Sequence, residues 1–196
     1  MMMRSILAIA LMFGVTAAVA AQTQKDSAAN QSDELTEDYK IYDAVLSRMF
    51  AGNKITFDFG GDVPVKLLVI EERTAADPFA KEPRFGASLI RQEAVVDYEM
   101  KSDHPVSLQR RFKLNVDYVL VNSPESRRAA HEREGKDNEV HGVVRLSRVG
   151  FNKARTKAYL YMDYVCGDLC GHGWGIFLVR SGETWTVDNV VAKWIS

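Results

Sequence analysis

The densest group of reactive side chains in this 196-residue chain is CGDLCGHGWG, residues 166–175, which holds both cysteines, one of the four histidines and four glycines. Three chemistries compete for it. Cys166 and Cys170 stand four positions apart, and in a protein that matures under oxidising conditions such a pair forms a disulfide. Gly167, Gly171 and Gly173 would allow the tight or left-handed backbone that a small bridged loop between strands demands. Closing so short a ring contributes only about 2 kcal/mol by chain-entropy reasoning, so the bridge would shape its loop more than it holds the fold. A strained, exposed bridge would instead serve as a thiol switch. The familiar oxidoreductase pattern, however, is CxxC at a helix start, and CGDLC has three intervening residues and lies between strands. The third chemistry is metal binding. Cys166, Cys170 and His172 offer two thiolates and an imidazole, a soft set suited to Cu(I), or to Zn with a fourth ligand from His104, His131 or His141. None of those three histidines stands at a recognisable ligand spacing.

Other catalytic readings fail on their own terms. CGHGW imitates the CGSCW of papain-like proteases, but Gly173 occupies the nucleophile's position. There is no GxSxG elbow for a serine hydrolase. Asp58, Phe59 and Gly60 spell DFG, yet the glycine-rich phosphate loop, strand lysine and HRD loop of a kinase are missing. Glu71 and Glu72 are neighbours on an expected strand and therefore face opposite ways, unlike a glycosidase pair. Trp174, Trp185 and Trp194 would suit a sugar or peptide groove, but sheet packing accounts for them more simply.

The elements that must position these residues begin after a leader. MMMRSILAIALMFGVTAAVAAQ places one positive charge at Arg4, an apolar run from Ile6 to about Val15 and small residues from Ala17 to Ala21. This is the plan of a secretory signal peptide over residues 1–21, cleaved after Ala20 or Ala21, with an apolar run too short to span a bilayer. Neither cut leaves a cysteine for lipid attachment. The expected product is an exported soluble protein, periplasmic or extracellular, with no membrane insertion. Of 25 basic residues the signal removes only Arg4, leaving 24 against 26 acidic ones and a net charge of −2. That balance gives no reason to expect nucleic acid or an anionic membrane as partner. The cluster Arg110, Arg111, Lys113 reads as a solvated face.

Residues 22–34, QTQKDSAANQSDE, contain no large apolar side chain and read as a flexible leader. One domain is expected over residues 35–196. Leu35, Tyr39, Tyr42, Leu46 and Met49 recur at spacings of three and four, widened by Ile41, Val45 and Phe50, which predicts an amphipathic helix ending near Gly52. Asp33, Glu34, Glu37 and Asp38 at its start and Arg48 near its end suit the helix dipole. KLLVIEERT predicts a buried strand, although periodicity alone does not exclude a helical turn. AADPFAKEP reads as loop, Ser88 to Met100 as a second helix with Pro105 beyond its end, and VDYVLV as a strand. SPESRRAAHEREG has Ser, Pro and Gly where a helix would want them but almost nothing apolar, so it reads as a short surface helix or a mobile loop.

The last third is the clearest. VVRLSRVGF, KAYLYMDYVC, WGIFLVR and TWTVDNVVAKWIS are four β-branched and aromatic segments joined by short connections, which predicts an antiparallel meander. In the second, Ala158, Leu160, Met162 and Tyr164 share one face, and Lys157, Tyr159, Tyr161 and Asp163 the other. The class is α+β: N-terminal helices packed on a mainly antiparallel sheet whose C-terminal part is a four-strand meander, with a helix on one face.

The stretch LSRVGFNKARTKAYLYMDYVCGDLCGHGWGIFLVRSGETWTV, ending in KWIS, resembles the C-terminal signature of a family of uncharacterised exported bacterial proteins. EDYKIYDAVLSRMF, LVIEERT and DYVLV are similar in kind and order, so the resemblance spans most of the mature chain and is specific at its end. It implies an exported domain and carries no chemistry. The expectation is a non-catalytic domain of the envelope or exterior that needs no cofactor and binds a protein or small ligand, or acts as a structural module. The rival is a thiol-redox or metal-dependent activity centred on Cys166, Cys170 and His172.

Overall fold

Apolar strand formers concentrate toward the C-terminus, where β7 (Lys157–Gly167), β8 (Cys170–Ser181) and β9 (Thr184–Ile195) pair in succession as antiparallel neighbours. The computed structural model describes residues 35–57, 61–76, 89–134, 142–167 and 170–196. The expected signal peptide, the leader, the DFG triplet, most of the AADPFAKEP loop and His141 lie outside them. The chain divides into two units, Met1–Glu37 and Asp38–Ser196. Of the first, residues 35–37 are described and are helical; that helix, α1, runs to residue 49.

The segment expected as a single strand, VVRLSRVGF, is instead one strand line broken in the middle. β5 (Val143–Leu146) and β6 (Gly150–Phe151) both pair with the same edge of β7. Leu146 faces Met162 but Gly150 faces Tyr159, so this line carries one residue more than β7 and bulges at 147–149. Ser147 mends the interrupted ladder. Its N–H donates to the Tyr161 carbonyl at 2.9 Å, and its Oγ accepts the Tyr161 N–H at 2.9 Å.

Beyond β5 the sheet continues with β3 (Leu67–Glu71) and β4 (Asp117–Val121). β3 runs parallel to both β4 and β5, and the strand order is β4-β3-β5-β7-β8-β9. The class is therefore α+β with a mixed sheet, in which the parallel pairings join segments far apart in the chain. A separate hairpin of β1 (Lys54–Phe57) and β2 (Gly61–Pro64) was not anticipated, because KITF and GDVP are short and show no clear alternation.

Helices cover both faces of the sheet, not one. α1 buries Tyr42, Val45 and Leu46 in the main core with Ile70, Leu146, Leu160 and Met162. On the opposite face α2 (Leu89–Ser102) buries Ala94, Val95 and Tyr98 against Tyr159 and Tyr161. α3 (Pro124–Glu134) sets Ala130 on Val69, Val121 and Val143. The side of β7 that carries the tyrosines is thus as dry as its aliphatic side, and every residue from Ala158 to Tyr164 is buried. Among the described residues no helix is long and apolar enough to cross a membrane.

β9 is an edge strand, and its register slips past Asp188 and Lys193, one extra residue at each place. Charged bulges of this kind blunt an edge against further strand addition. α2 approaches the sheet at Gly150, where an added Cβ would stand 2.0 Å from the Ala94 carbonyl oxygen and 2.3 Å from the Tyr98 nitrogen. Asp97 then accepts the Phe151 N–H at 2.7 Å, tying the helix to β6. Gly150→Ala should therefore cost on the order of 3 kcal/mol in chemical denaturation, since backbone rather than a flexible side chain must move. Gly182, with φ +60° and open space around it, should accept Asn with less than about 1 kcal/mol of loss.

Candidate functional site

The cysteine-glycine stretch serves both faces of the sheet. Cys166 and Cys170 are bonded at the turn end of the β7–β8 hairpin, with Cα atoms 5.0 Å apart. Gly167 pairs with Cys170 one residue out of step with the Val165–Gly171 pair, so the bridge closes over a bulge at Cys166. In this state the sulfurs offer no thiolate to a metal. His172 turns into the core, 8% exposed, and its ring stacks on Trp174 at 5.5 Å. His104 is exposed beyond α2, and His131 lies on α3. Among the described residues no group of three or more His, Cys, Asp or Glu stands close enough to hold a metal ion.

Alternate positions of β8 point the other way, and there the stretch has glycines. An added Cβ at Gly173 would stand 2.1 Å from Trp194 Nε1, and one at Gly171 would stand 2.8 Å from the far edge of the same indole. Trp194 of β9 therefore lies across β8 on a glycine floor and reaches β7, where its Nε1–H donates to the Tyr161 hydroxyl at 2.7 Å. Tyr161 in turn donates to Asp163 Oδ2 at 2.8 Å. Asp163 also accepts two bonds from Arg145 of β5, from Nε at 2.7 Å and Nη2 at 2.6 Å. These bonds push the Arg145 guanidinium above its already high ordinary pKa, against the opposing effect of burial. Continuing the β3–β5 register one residue past Ile70 and Val144 sets Glu71 beside Arg145, and Glu71 adds to the same shift. Glu71 is itself paired with Arg127 of α3.

One polar row thus crosses the sheet from Arg127 through Glu71, Arg145, Asp163 and Tyr161 to Trp194. Its inner end is dry and its outer part wet: the Asp163 side chain is 1% exposed and that of Arg145 36%. Along β7, α2 covers Tyr159 and Tyr161, and the disulfide closes the hairpin at Cys166. Between them the face carries Arg145, Val165 and Trp194, all partly exposed. Reading the sequence did not assemble this set. Its only trace there is a single charge inside each of two apolar strands, VVRL and YLYMDYV.

The remaining sequence candidates are placed apart from this row or fall at its edge. Glu72, unlike its neighbour Glu71, accepts from Asn122 Nδ2 at 2.7 Å. Trp174 and Trp185 are buried in the main core, and only Trp194 belongs to the row. Arg110 and Arg111 are exposed and lie over the rings of Tyr118 and Tyr39, at 5.2 and 5.1 Å. A buried ion pair, Arg148 Nε to Asp38 Oδ2 at 3.5 Å, holds the bulge from the α1 side. There the Tyr42 hydroxyl donates to the Ser147 carbonyl at 2.8 Å, and burial, with Asp38 nearby, pushes its pKa well up.

Removing the buried carboxylate leaves the Tyr161 hydroxyl and the half-buried Arg145 guanidinium without their acceptor, so Asp163→Ala should destabilise by about 2–3 kcal/mol in a urea melt. Gly173→Ala should cost about 1–3 kcal/mol and expel the indole from its floor, seen as fast solvent exchange of the Trp194 Nε1 proton. An exchange rate unchanged from that of the parent protein would show that the glycines do not carry the indole. No family model matches the chain, and no curated protein or solved structure matches it either.

Proposed function

We propose that the protein is an exported, soluble, non-catalytic domain that binds a partner or small ligand on the open part of the sheet face bearing Arg145, Val165 and Trp194. The observation that carries this reading is the guanidinium of Arg145, held in one plane by a buried carboxylate while 36% of its side chain meets solvent. A fork fixed in this way recognises without having to be ordered on binding. The same groups are poor catalysts. Arginine keeps its proton, Asp163 is engaged by a cation and a phenol, and the indole has no acid or base role near neutral pH. Export is supported by the signal-like leader and by cysteines paired with each other rather than left as thiols.

The rival reading, a thiol-redox or copper- or zinc-binding protein centred on Cys166, Cys170 and His172, is favoured by one observation. Both cysteines lie partly exposed at the end of a hairpin. It requires the bridge to open in use. Intact-mass spectrometry of the exported protein, with alkylation before and after reduction, together with copper and zinc analysis, separates the two. Binding by a stapled domain predicts cleavage after Ala20 or Ala21, alkylation only after reduction, and no bound metal. Free thiols or stoichiometric metal would sink it. Replacing both cysteines by alanine should then cost only about 2 kcal/mol of stability and leave ligand binding intact.

A further inference from the structure

The open floor is cationic. Among the described residues Arg127, Arg145 and Lys193 stand there against Glu71 and Asp163, one positive charge in excess, in a chain of formal net charge −1. Lys193 belongs to the floor because it is the bulged residue beside Trp194, with a stem that reaches over Gly175. Both carboxylates are already occupied by arginines. Arg145 uses Nε and Nη2 on Asp163, so among the described residues its Nη1 group has no acceptor. A guanidinium with a free outer edge is suited to a second carboxylate.

Trp194 supplies a different surface. One side of the indole rests on the backbone of Gly171 and Gly173, and its N–H is taken by Tyr161, so the remaining side is what it presents outward. A flat aromatic face of this kind packs on the apolar C–H face of a sugar ring. The indole nitrogen and the guanidinium are joined by successive hydrogen bonds of 2.7, 2.8 and 2.6 Å, so platform and fork stand within three hydrogen-bond lengths of each other. We infer that this floor binds a saccharide bearing a carboxylate, its ring on Trp194 and its carboxylate on Arg145. The inference rests on the binding-domain reading and names the ligand of that site.

Two other partners fit less well. β5, β7 and β8 beneath the floor are paired on both sides, and the edge at β9 is blunted by its bulges at Asp188 and Lys193, so an extended peptide finds little backbone to join. A nucleic acid would bring further phosphates over Glu71 and Asp163, where the local excess of one positive charge offers little.

The test uses the full mature chain with its disulfide intact and 15N-labelled tryptophan. The probes are oligogalacturonate, a neutral galactose oligomer and a short peptide with a free C-terminal carboxylate. The Trp194 indole resonance is identified by its loss in Trp194→Phe. Oligogalacturonate should shift that resonance and leave those of Trp174 and Trp185 in place, with the neutral oligomer at least about tenfold weaker. Arg145→Lys keeps a cation against Asp163 and thus the fold, checked by circular dichroism, and should weaken oligogalacturonate about tenfold without changing the neutral oligomer. A silent Trp194, or equal affinity for the acidic and neutral oligomers, overturns the inference. A response to the peptide alone overturns the saccharide and leaves a binding domain standing. New reducing ends released from oligogalacturonate would support the ligand class while overturning the non-catalytic reading.

Discussion

A carboxylate with no exposed surface must be answered by a cation or be protonated, and in this fold Asp163 is answered by Arg145. The requirement comes from the position of β7. It lies inside the sheet with helices packed on both faces, so each of its central residues is buried whatever its chemistry. The neighbouring strand must then present an arginine at the position opposite Asp163, and the β5–β7 register does so by pairing residue 145 with residue 163. The remaining acceptor capacity of Asp163 is filled by Tyr161, and the hydroxyl of Tyr161 is filled by Trp194. Because that indole comes from β9, two strands away, β8 must pass beneath it without side chains. Gly171 and Gly173 meet that condition.

Two ion pairs, each with a buried carboxylate, stand on the same strand line, their arginines three residues apart, and face opposite layers. Arg145 meets Asp163 within the sheet, whereas Arg148 meets Asp38 on α1. The bulge at 147–149 lies between β5 and β6, and Ser147 bonds to Tyr161 on one side and to Tyr42 on the other. Buried pairs of this sort contribute little net stability compared with apolar residues of the same volume. Their consequence here is geometric: they set the register of the central strands and the docking of α1, and with these the plane in which Arg145 meets solvent.

Local periodicity made much of the architecture legible. The stripe from Tyr39 to Phe50 gave α1, and the alternation in KAYLYMDYVC gave β7 and its two faces. α3 was ambiguous because its segment is almost wholly polar; it is helical with Ser123 capping the Ser126 N–H at 3.1 Å and one small residue, Ala130, set on the sheet. The pairing of β3 with β4 and β5 was not legible, since parallel neighbours are joined by long crossovers and nothing in either strand names its partner. Helices on both faces were missed for a related reason. Tyr159 and Tyr161 read as an ordinary half-polar strand face, and only the approach of α2 at Gly150 makes them core.

By itself the sequence determined the α+β class, the order of α1, β3, α2 and β4, and the four segments that form the C-terminal meander, because these follow from the periods of a helix and a strand within one segment. It drew the eye to CGDLCGHGWG as a site of reactive side chains. Tertiary structure alone decided that His172 faces the core while Gly171 and Gly173 carry Trp194, and that Arg145, Asp163, Tyr161 and Trp194 form one row. Those four residues span fifty positions of the chain, and their proximity depends on strand register and on which neighbours cover each face. Both are outcomes of long-range packing that no single stretch of residues encodes.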